Sequence, residues 1–551
     1  MNKRFVRGCA SETGDAPGRC QRILWIILAG LALGLAGCET ADEEPSGIIG
    51  SVEGFAGAVV ADEPRAVLVG RDVLSAGGTA ADAAVAMYFT LAVTLPSEAG
   101  LGGGGICLIH DPEARTTEAL DFLPRAAPGG LVALPGNVRG MAALHARHGS
   151  LRWEGLLAGA ENLARFGTPM SRALAREAAT AEGRLRGDPE LAALFVGADG
   201  VLLDEGDNLR QVDLAAVISQ IRQQGAGAFY TGPLAAKIAE AAQSIGAPLT
   251  TEALRNTLPR FDETLRLPVG NHVLHAAPTP GGLVEAQLVG MLTEGEDWEA
   301  AAAAERPHLF AEASKRAFAE RTGWQQADGS IAGDPTALLD ETHLRGLMAA
   351  YDGDSPTPVG SLDPQPQARP ENAWATGFVA VDRRGRAVAC NVTMNDLFGA
   401  GRVAPGTGII LAPAPSQSGA GATALGPMIL ANEPTGGFYY AAAAAGGPVA
   451  ATAMASVFLR SVALERPLEE AMAAKRLHHN GAPDVVFYEQ DSPAEMPSSL
   501  SGRGHQTAEV EILGRVAAVW CPGGLPGDPD SCQAAADTRS NGLAVVLADS
   551  D

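Results

Sequence analysis

The stretch ATGFVAVDRRGRAVACNVTMNDLFGAG, residues 375–401, decides the fold of this chain. Its side-chain pattern predicts two strands, at 376–381 and 387–394. The segment DRRGR at 382–386 lies between them and contains the glycine that is typical of a short hairpin connection. Strands joined so tightly are antiparallel neighbours, so an antiparallel sheet is expected late in the chain.

Helices dominate the part of the chain that precedes this hairpin. Apolar residues recur at three- and four-residue steps over 64–96 and 307–321, and a run of helices broken by glycine and proline is predicted over 139–246. Short strands are predicted at 106–109 and 272–277. Helices that come first and strands that cluster late favour an α+β body with αββα layers over a doubly wound sheet.

The N-terminus has the pattern of an export signal. Basic residues exceed acidic ones in the first 22 positions, and an uncharged apolar run covers 23–37. As a helix this run spans about 23 Å, short of the roughly 30 Å of a bilayer core, which favours a signal peptide over an anchor helix that happens to end in cysteine. Leu35-Ala36-Gly37-Cys38 resembles a bacterial lipobox, which implies lipid on Cys38 and a membrane anchor. The acidic segment 39–50 is interpreted as a tether.

Charge narrows the range of partners. The whole chain carries a net charge of −24, and because residues 1–37 contribute +3, the mature part carries −27. Such a body does not bind nucleic acid or adsorb to anionic lipid. The residue after the lipidated cysteine is Glu39, which favours the outer membrane by resemblance to enteric bacteria, with the body facing the periplasm. Oligomeric state is left open.

Four of the seven cysteines remain after the signal and Cys38 are set aside. Cys521 and Cys532 flank a loop rich in proline, glycine and aspartate, in a chain bound for an oxidising compartment, and a disulfide between them is predicted. Cys107 and Cys390 lie in apolar, strand-like runs and are interpreted as buried thiols.

Several familiar site patterns are missing or incomplete. The glycine run at 100–105 follows a helix and precedes a strand, the reverse of a phosphate loop. His308 and Glu312 are four residues apart but have no third ligand nearby in the sequence, so a hydrogen bond or salt bridge between them is favoured over a metal site. No Gly-x-Ser-x-Gly elbow occurs. No cofactor is expected.

The combination of segments resembles the γ-glutamyltransferase family, also called glutathione hydrolases. The matching segments run in order along nearly all of the mature chain: GGTAADAAVA at 77–86, PSEAGLGGGG at 96–105, LDF and AAP within 120–128, PGNVRG at 135–140, LRQVDLA at 209–215, GAFYTG at 227–232, the helix with His308, Glu312, Lys315 and Arg321, GDP at 333–335, residues 377–401, and Gly446-Gly447.

The resemblance implies an N-terminal nucleophile hydrolase fold, a four-layer αββα sandwich. The signal and tether would cover 1–37 and 38–52, and the family domain 53–551. A precursor of this family cuts itself before a threonine, whose hydroxyl becomes the nucleophile and whose freed amine serves as base. The cut would divide this domain into a large part, 53–374, and a small part, 375–551. An acyl-enzyme then passes its glutamyl group to water or to an amino acid.

The nucleophile is missing at the position that the resemblance assigns to it. The family pattern at the cut is Thr-Thr-His-Phe-Ser-Val-Val-Asp, and here Ala375-Thr376-Gly377-Phe378 begins the aligned run. A methyl group attacks no carbonyl, and loss of the nucleophile in a serine protease costs on the order of 10⁶ in turnover. Thr376 is the nearby substitute, but neighbours in a strand point to opposite faces, so a bulge or a shifted cut would have to re-aim it.

The other family positions are partly retained. Thr393 and Asn395 match residues beside the nucleophile, and Gly446 and Gly447 match the pair that stabilises the oxyanion. The substrate-binding positions lack most of the family's side chains. Arg125 reaches the family's arginine position only with a small shift, and Thr423 retains one hydroxyl of a serine pair. No acid occurs between Asp396 and Glu433 to bind an amino group. A buried α-amino or carboxylate group left unpaired costs several kcal/mol, about 3–5, so γ-glutamyl binding is expected to be weak.

These observations leave open three functions that differ in class. The first is an envelope lipoprotein of this family that has lost γ-glutamyl chemistry and binds a small amino-acid-like ligand or scaffolds something else. The second is a working hydrolase or acyltransferase that uses Thr376. The third is a structural envelope role unrelated to the old pocket. Electrophoresis separates the first two, because only a self-cleaving chain yields two fragments that meet near residue 375.

Overall fold

The computed structural model describes residues 54–294, 297–326, 329–362, 374–415 and 424–548. The signal segment, Cys38 with its tether, and Thr423 lie outside these residues, so the expectations placed on them stay predictions. Within the described part of the chain, no helix is both long and apolar enough to cross a bilayer.

Two antiparallel sheets form the centre of the molecule. Their strands are β1 Gly57–Ala61, β2 Gly104–Asp111, β3 Thr116–Phe122, β4 Arg260–Glu263, β5 Leu265–Val269, β6 His272–Ala276, β7 Ala375–Asp382, β8 Ala387–Thr393, β9 Met428–Asn432, β10 Gly437–Ala445, β11 Arg515–Leu525, β12 Gln533–Ala536 and β13 Leu543–Leu547. The first sheet has seven strands in the order β13-β1-β7-β8-β2-β3-β4. The second has six, in the order β12-β11-β10-β9-β6-β5. The late hairpin is therefore central to the first sheet.

Helices cover the outer faces of both sheets. They are α1 Pro64–Ser75, α2 Ala80–Thr94, α3 Pro96–Ala99, α4 Asn137–His148, α5 Trp153–Phe166, α6 Arg172–Thr180, α7 Glu182–Gly187, α8 Pro189–Phe195, α9 Val212–Gln224, α10 Gly227–Tyr230, α11 Gly232–Ser244, α12 Thr251–Asn256, α13 Pro280–Thr293, α14 Asp297–Ala300, α15 Arg306–Trp324, α16 Glu341–Met348, α17 Pro448–Phe458, α18 Leu468–Ala473 and α19 Glu495–Gly502. A π-helical turn, Leu459–Ala463, extends α17.

Short strands complete the peripheral sheets. Two-stranded pairs are Arg125–Ala126 with Ala133–Leu134, Thr168–Pro169 with Asn208–Leu209, and Val403–Ala404 with Ile409–Ile410. A three-stranded sheet contains Leu477–His478, Val486–Glu489 and Thr507–Val510.

Three apolar clusters account for the layers. One cluster lies between the first sheet and its helices and includes α2 and α5. A second lies between the two sheets. The third lies between the second sheet and a helical layer that includes α13, α15 and α17. Apolar area on both faces of each sheet is removed from water in this way, and the predicted four-layer αββα sandwich is confirmed.

The hairpin predicted around residues 382–386 forms. Strand β7 pairs with β8, and the turn is closed by hydrogen bonds from the Asp382 amide to the Arg386 carbonyl and from the Gly385 amide to the Asp382 carbonyl, both 2.9 Å. Gly385 adopts a φ of +84°, which residues with a side chain rarely do. The turn chemistry therefore fixes the register of the central strands.

The helix predicted over 64–96 is divided instead. Helix α1 ends at Ser75, Gly77 takes a φ of +82°, and Thr79 caps α2 in a reciprocal box with Asp82. The apolar periodicity continues across this break, which is why it suggested one helix, whereas the glycine pair and the cap decide the local geometry.

Two disulfides are present among the described residues, and one of them overturns a prediction made from the sequence. Cys521 and Cys532 are bonded across their loop. Cys107 and Cys390, interpreted above as buried thiols, are bonded as well. The two are directly opposite each other on β2 and β8, a pairing that follows from sheet register and is not visible in separate apolar runs.

Candidate active site

Ala375 begins β7 at the edge of the space between the two sheets. It pairs with Thr393 of β8, which in turn pairs with Gly104 of β2. Its methyl group is 1% exposed and belongs to the apolar cluster between the sheets, as do Val379 and Val381 further along the strand. The side chain at the position assigned to the nucleophile therefore carries no hydroxyl and contacts apolar neighbours.

Thr376 is directed to the opposite face of the same strand. Phe378 and Ala380, which share its parity, pack in the cluster between this sheet and its helices. The Thr376 hydroxyl is fully buried and donates to Oδ2 of Asp62 at 3.1 Å. This hydroxyl is therefore held away from the space that the Ala375 methyl faces.

Thr393 holds the carbonyl that a nucleophile at 375 would attack. Its Oγ1 donates to the carbonyl oxygen of Trp374 at 2.6 Å and accepts from the Asn395 amide at 2.8 Å. A hydroxyl that donates to this carbonyl withdraws electron density from its carbon, as an oxyanion donor does. The carbonyl before residue 375 is therefore polarised by a hydrogen bond, while residue 375 itself carries no hydroxyl.

Gly446 and Gly447 lie where β10 ends and α17 begins. Their φ angles are +135° and +59°, in the range that favours glycine. Pro448 occupies the first turn of α17, so the pair stands at a helix N-terminus, where backbone amides point outward. Neither amide donates to another residue in the part of the chain that the structure describes. Both are therefore free to bind a developing negative charge.

Arg515 joins the start of β7 to a group of buried acids. Its Nη2 lies 2.6 Å from Oε1 of Glu98 and donates to the Ala375 carbonyl at 3.1 Å. Its Nη1 is 3.5 Å from Oε1 of Glu177, and its Nε is 3.8 Å from Oδ2 of Asp62. We call Arg515, Asp62, Glu98 and Glu177 the acid–arginine cluster.

Negative charge is in surplus in the acid–arginine cluster, with three carboxyl groups around one guanidinium. Burial raises the pKa of Glu98 well above its ordinary value, and Glu177 and Asp62 raise it further, against the opposing effect of Arg515. Burial also raises the pKa of Asp62 and of Glu177. One oxygen of Glu98, Oε2, is buried without a hydrogen-bond partner among the described residues. The cluster therefore favours the uptake of protons over full ionisation.

A cavity of about 140 Å³ opens beside these groups. Trp374, Gly446 and Arg515 line it, together with Glu177 and Ser540. Trp374, which precedes Ala375, Gly446, and two members of the acid–arginine cluster thus meet at one cavity. Its size suits an amino-acid-like molecule, and its charged lining consists of one acid, Glu177, and three arginines, Arg176, Arg515 and Arg539.

The remaining site predictions fare differently. Asn395, at a φ of +61°, donates through Nδ2 to the Pro413 carbonyl at 2.9 Å, and its buried Oδ1 has no hydrogen-bond partner among the described residues. Arg125 is half exposed and donates to Oδ2 of Asp121 at 2.7 Å, where Arg260 also binds. It does not line the cavity beside Trp374. Thr423 lies outside the described residues.

The expected pairing of His308 with Glu312 is wrong. Glu312 binds Arg316 at 2.6 Å and Lys315 at 3.0 Å, whereas His308 Nδ1 lies 2.7 Å from His505 Nε2. His505 thus supplies the third group that the sequence analysis found lacking. Because both carboxylate oxygens of Glu312 already bind cationic side chains, a metal ion would meet two positive charges there.

The acid–arginine cluster was missed by the sequence analysis. Its members come from four segments separated by many residues, so no local motif contains them. One signal was available: Glu98 is an acid within the glycine-rich segment 96–105, and Arg515 is a charged residue at the start of an apolar strand. Charged residues in such apolar surroundings are buried only with partners.

Comparison with known proteins agrees with this geometry. A model of the gamma-glutamyltranspeptidase family matches residues 66–417 and 422–547. Scoloptoxin SSD14 of Scolopendra dehaani is 29% identical over 488 residues, 79% of this chain and 83% of that protein. The glutathione hydrolase proenzyme of Escherichia coli K12 is 27% identical over 512 residues, 84% of this chain and 86% of that protein.

Solved structures show the same architecture. The cephalosporin acylase of Bacillus halodurans superposes with a TM-score of 0.74 at 21% identity, over 90% of this chain and 96% of that chain. The gamma-glutamyltranspeptidase of Helicobacter pylori gives a TM-score of 0.51 at 26% identity, over 56% of this chain and 94% of that chain. The fold is thus that of the N-terminal nucleophile hydrolases.

Proposed function

The chain belongs to the gamma-glutamyltranspeptidase family, and on that premise we propose that it is an envelope lipoprotein whose γ-glutamyl hydrolysis and transfer are lost or strongly impaired. The observation that carries this proposal is the Ala375 methyl group at the start of β7, opposite Thr393. An acyl-enzyme needs an oxygen or sulfur nucleophile at that place. The chain then stays uncut and retains a binding or scaffolding role.

The cavity beside Trp374 supports a residual binding role. The Gly446 amide and the guanidinium groups of Arg176, Arg515 and Arg539 suit a carboxylate, and the Glu177 carboxyl suits an amine. A small amino-acid-like molecule carries both groups. The half-exposed Arg125 makes no contribution to this cavity, so the ligand is bound differently from the way the resemblance implied.

The cell-envelope location rests on the sequence of residues 1–38, with support from the disulfides. Both the Cys107–Cys390 and Cys521–Cys532 bonds suit a compartment that keeps thiols oxidised. Labelling with radioactive palmitate tests the anchor: incorporation is expected in the wild type and not in Cys38→Ala. A wild-type protein that takes up no lipid contradicts the anchor.

Denaturing electrophoresis of the expressed protein tests loss of self-cleavage. We expect one band near full mature size. Two fragments with Ala375 or Thr376 at the new N-terminus would contradict the proposal. Incubation with a chromogenic γ-glutamyl amide then tests chemistry, and no turnover above the rate of a heat-denatured sample is expected.

Substitution of Ala375 separates the nucleophile from the pocket. In Ala375→Thr the new hydroxyl would face a carbonyl already held by Thr393, so slow cleavage is expected, with little turnover of γ-glutamyl amide because the substrate-binding positions remain stripped. Ala375→Val, which has the shape of threonine without its hydroxyl, serves as the matched control and should not cleave. Full activity of Ala375→Thr would show that the substrate pocket had survived.

One observation favours a second function, that of an active hydrolase or acyltransferase. The Thr376 hydroxyl donates to the buried carboxyl of Asp62, a group that could accept its proton. Turnover of an amide by the wild type that disappears in Thr376→Ala, while Thr376→Ser retains it, would establish this alternative. Its weakness is the position of the hydroxyl, on the opposite face of β7 from the Ala375 methyl.

A further inference from the structure

We propose that the outer helical layer of the second sheet carries a separate binding site for an apolar small molecule with one carboxylate group. The site is a cavity of about 440 Å³ between α14, the start of α15, the end of α17 and the start of α19. Pockets of roughly 300–1,000 Å³ hold small organic ligands. We call it the outer-layer cavity.

The wall of the outer-layer cavity is mostly apolar. Trp298 of α14 and Phe310 of α15 contribute aromatic surface, and Leu464, Leu477 and Met496 contribute aliphatic surface. Such a wall gains free energy by covering an apolar molecule, at roughly 25 cal/mol for each Å² removed from water. The body of the ligand is therefore a hydrocarbon or an aromatic ring system.

Two arginines in the same wall lack an acidic partner. Arg306 and Arg460 both line the cavity, and neither forms an ion pair within 4.0 Å of a described carboxylate. Among the described residues, the guanidinium of Arg306 donates to the carbonyls of Trp298 and Glu299, at 3.0 and 3.3 Å, and lies over the Trp298 ring at 5.6 Å. That of Arg460 has two long contacts, to Ser456 Oγ at 3.3 Å and to the Lys475 carbonyl at 3.4 Å. In a chain with a net charge of −24, unpaired arginines are conspicuous.

Further donors in the wall also lack acceptors. The indole Nε1 of Trp298 is buried and has no hydrogen-bond partner among the described residues. Ser456 accepts from Arg460, which leaves its own hydroxyl hydrogen free to donate. The Ser456 hydroxyl and the two arginines therefore offer donors to an acceptor bound in the cavity. Glu495 is the acid in the wall, and it is exposed, so the ligand's carboxylate belongs at the Arg460 end.

The electrostatics of Arg460 agree with an anion at this position. Burial and the neighbouring charges of Arg476, Arg306 and Arg539 together lower its pKa to about 10, against the opposing effect of Glu470. An anion beside Arg460 offsets both effects, because it replaces lost hydration and opposes the repulsion between cations. A planar carboxylate matches the two-pronged geometry of a guanidinium.

Isothermal titration of the full chain in lipid nanodiscs tests this site, with decanoate and decanol as probes at concentrations below micelle formation. We expect saturable 1:1 binding of decanoate. Decanol is expected to bind at least about tenfold more weakly than decanoate, because hydrogen bonds to a charged group contribute about 10- to 100-fold in affinity. Equal binding of the two probes, or no binding of decanoate, would overturn the proposal.

Variants locate the binding. Arg460→Gln is expected to weaken decanoate binding by about tenfold or more and to leave decanol unchanged. Ala303→Trp, at an exposed position in the cavity wall, is expected to abolish binding of both by filling the space, and it also gives the background from the nanodisc lipid. Arg210→Gln, an exposed arginine elsewhere, is the matched control with no expected change. Because Ala303 is exposed, Ala303→Trp is expected to fold even where Arg460→Gln does not. Undiminished decanoate binding by Ala303→Trp would place the site elsewhere.

Discussion

Two buried groups of charged side chains lie near each other on β11 and its neighbours, and they differ in the ratio of acids to arginines. The acid–arginine cluster places three carboxyls around Arg515. The second group, which we call the balanced network, pairs Arg476 and Arg539 with Glu489 and Asp537. Every carboxylate oxygen of the balanced network accepts a hydrogen bond, whereas Oε2 of Glu98 has no partner among the described residues. Nε of Arg476 is also buried without a hydrogen-bond partner among the described residues, so the contrast lies in the carboxylates alone. Fully paired carboxylates are typical of a structural network, and surplus carboxyl groups beside a cavity are typical of a site.

The pKa shifts separate the same two groups. Arg476 and Arg539 hold the pKa of Asp537 below its ordinary value against the opposing effect of burial, and Arg539 does the same for Glu489. Burial raises the pKa of Asp62, Glu98 and Glu177. A carboxyl whose pKa is lowered in the folded state stabilises the fold at pH values above its ordinary pKa, and this contribution is lost as pH falls. A carboxyl whose pKa is raised in the folded state stabilises the fold at pH values below its ordinary pKa, and this contribution is lost as pH rises. The two groups therefore oppose each other across the acidic and neutral range.

Asp537→Ala is expected to have the largest effect on stability. It leaves Arg476 and Arg539 with one carboxylate between them, and a buried arginine stays charged because it does not lose its proton. Removing one partner of a buried pair costs about 3–5 kcal/mol in the free energy of unfolding. Denaturant unfolding at pH 7 measures it, with the exposed Asp354→Ala as control. A cost no larger than that of the control would show that the network is not structural.

Arg515→Met is expected to lower the free energy of unfolding by less, about 1–3 kcal/mol at pH 7. The three carboxyls that lose their cationic partner take up protons instead of staying charged. Proton uptake grows easier as pH falls, so the loss at pH 5 should be smaller than at pH 8. Unfolding curves at the two pH values test this, beside Arg383→Met, an exposed arginine. A loss independent of pH would show that the carboxyls are not the groups that Arg515 stabilises.

The hairpin and the layers were predictable, while the acid–arginine cluster was not. Residues 382–386 contain their own turn chemistry, so local sequence fixes the pairing of β7 with β8. The opposition of Cys107 and Cys390 depends instead on the register between β2 and β8, which are far apart in the chain. Asp62, Glu98, Glu177 and Arg515 meet only after both sheets and α6 have packed, and no periodicity records such a meeting.

The positions at which the family resemblance places catalytic residues divide in the same way. Alignment of the hairpin located Ala375 and Thr393, because each lies at a fixed distance from the turn. The contact between Thr393 and the Trp374 carbonyl could not be read from sequence, since it depends on a rotamer. Nor could the binding of Arg125 to Asp121, which removes that arginine from the role suggested for it.

Glu98→Gln is expected to have the smallest effect, and its sign separates the two groups most clearly. The substitution removes an ionisable group whose pKa is raised in the folded state, so the cost of keeping it protonated as pH rises disappears. Relative to wild type, the variant should gain stability as pH rises from 5 to 8, because folding of the wild type then requires proton uptake at Glu98 and folding of the variant does not. Exposed Glu240→Gln should show no such trend. A gain that grows toward acid pH instead would mean that Glu98 behaves like Glu489, as a charge held by its arginine, and the surplus assigned to the cavity would vanish.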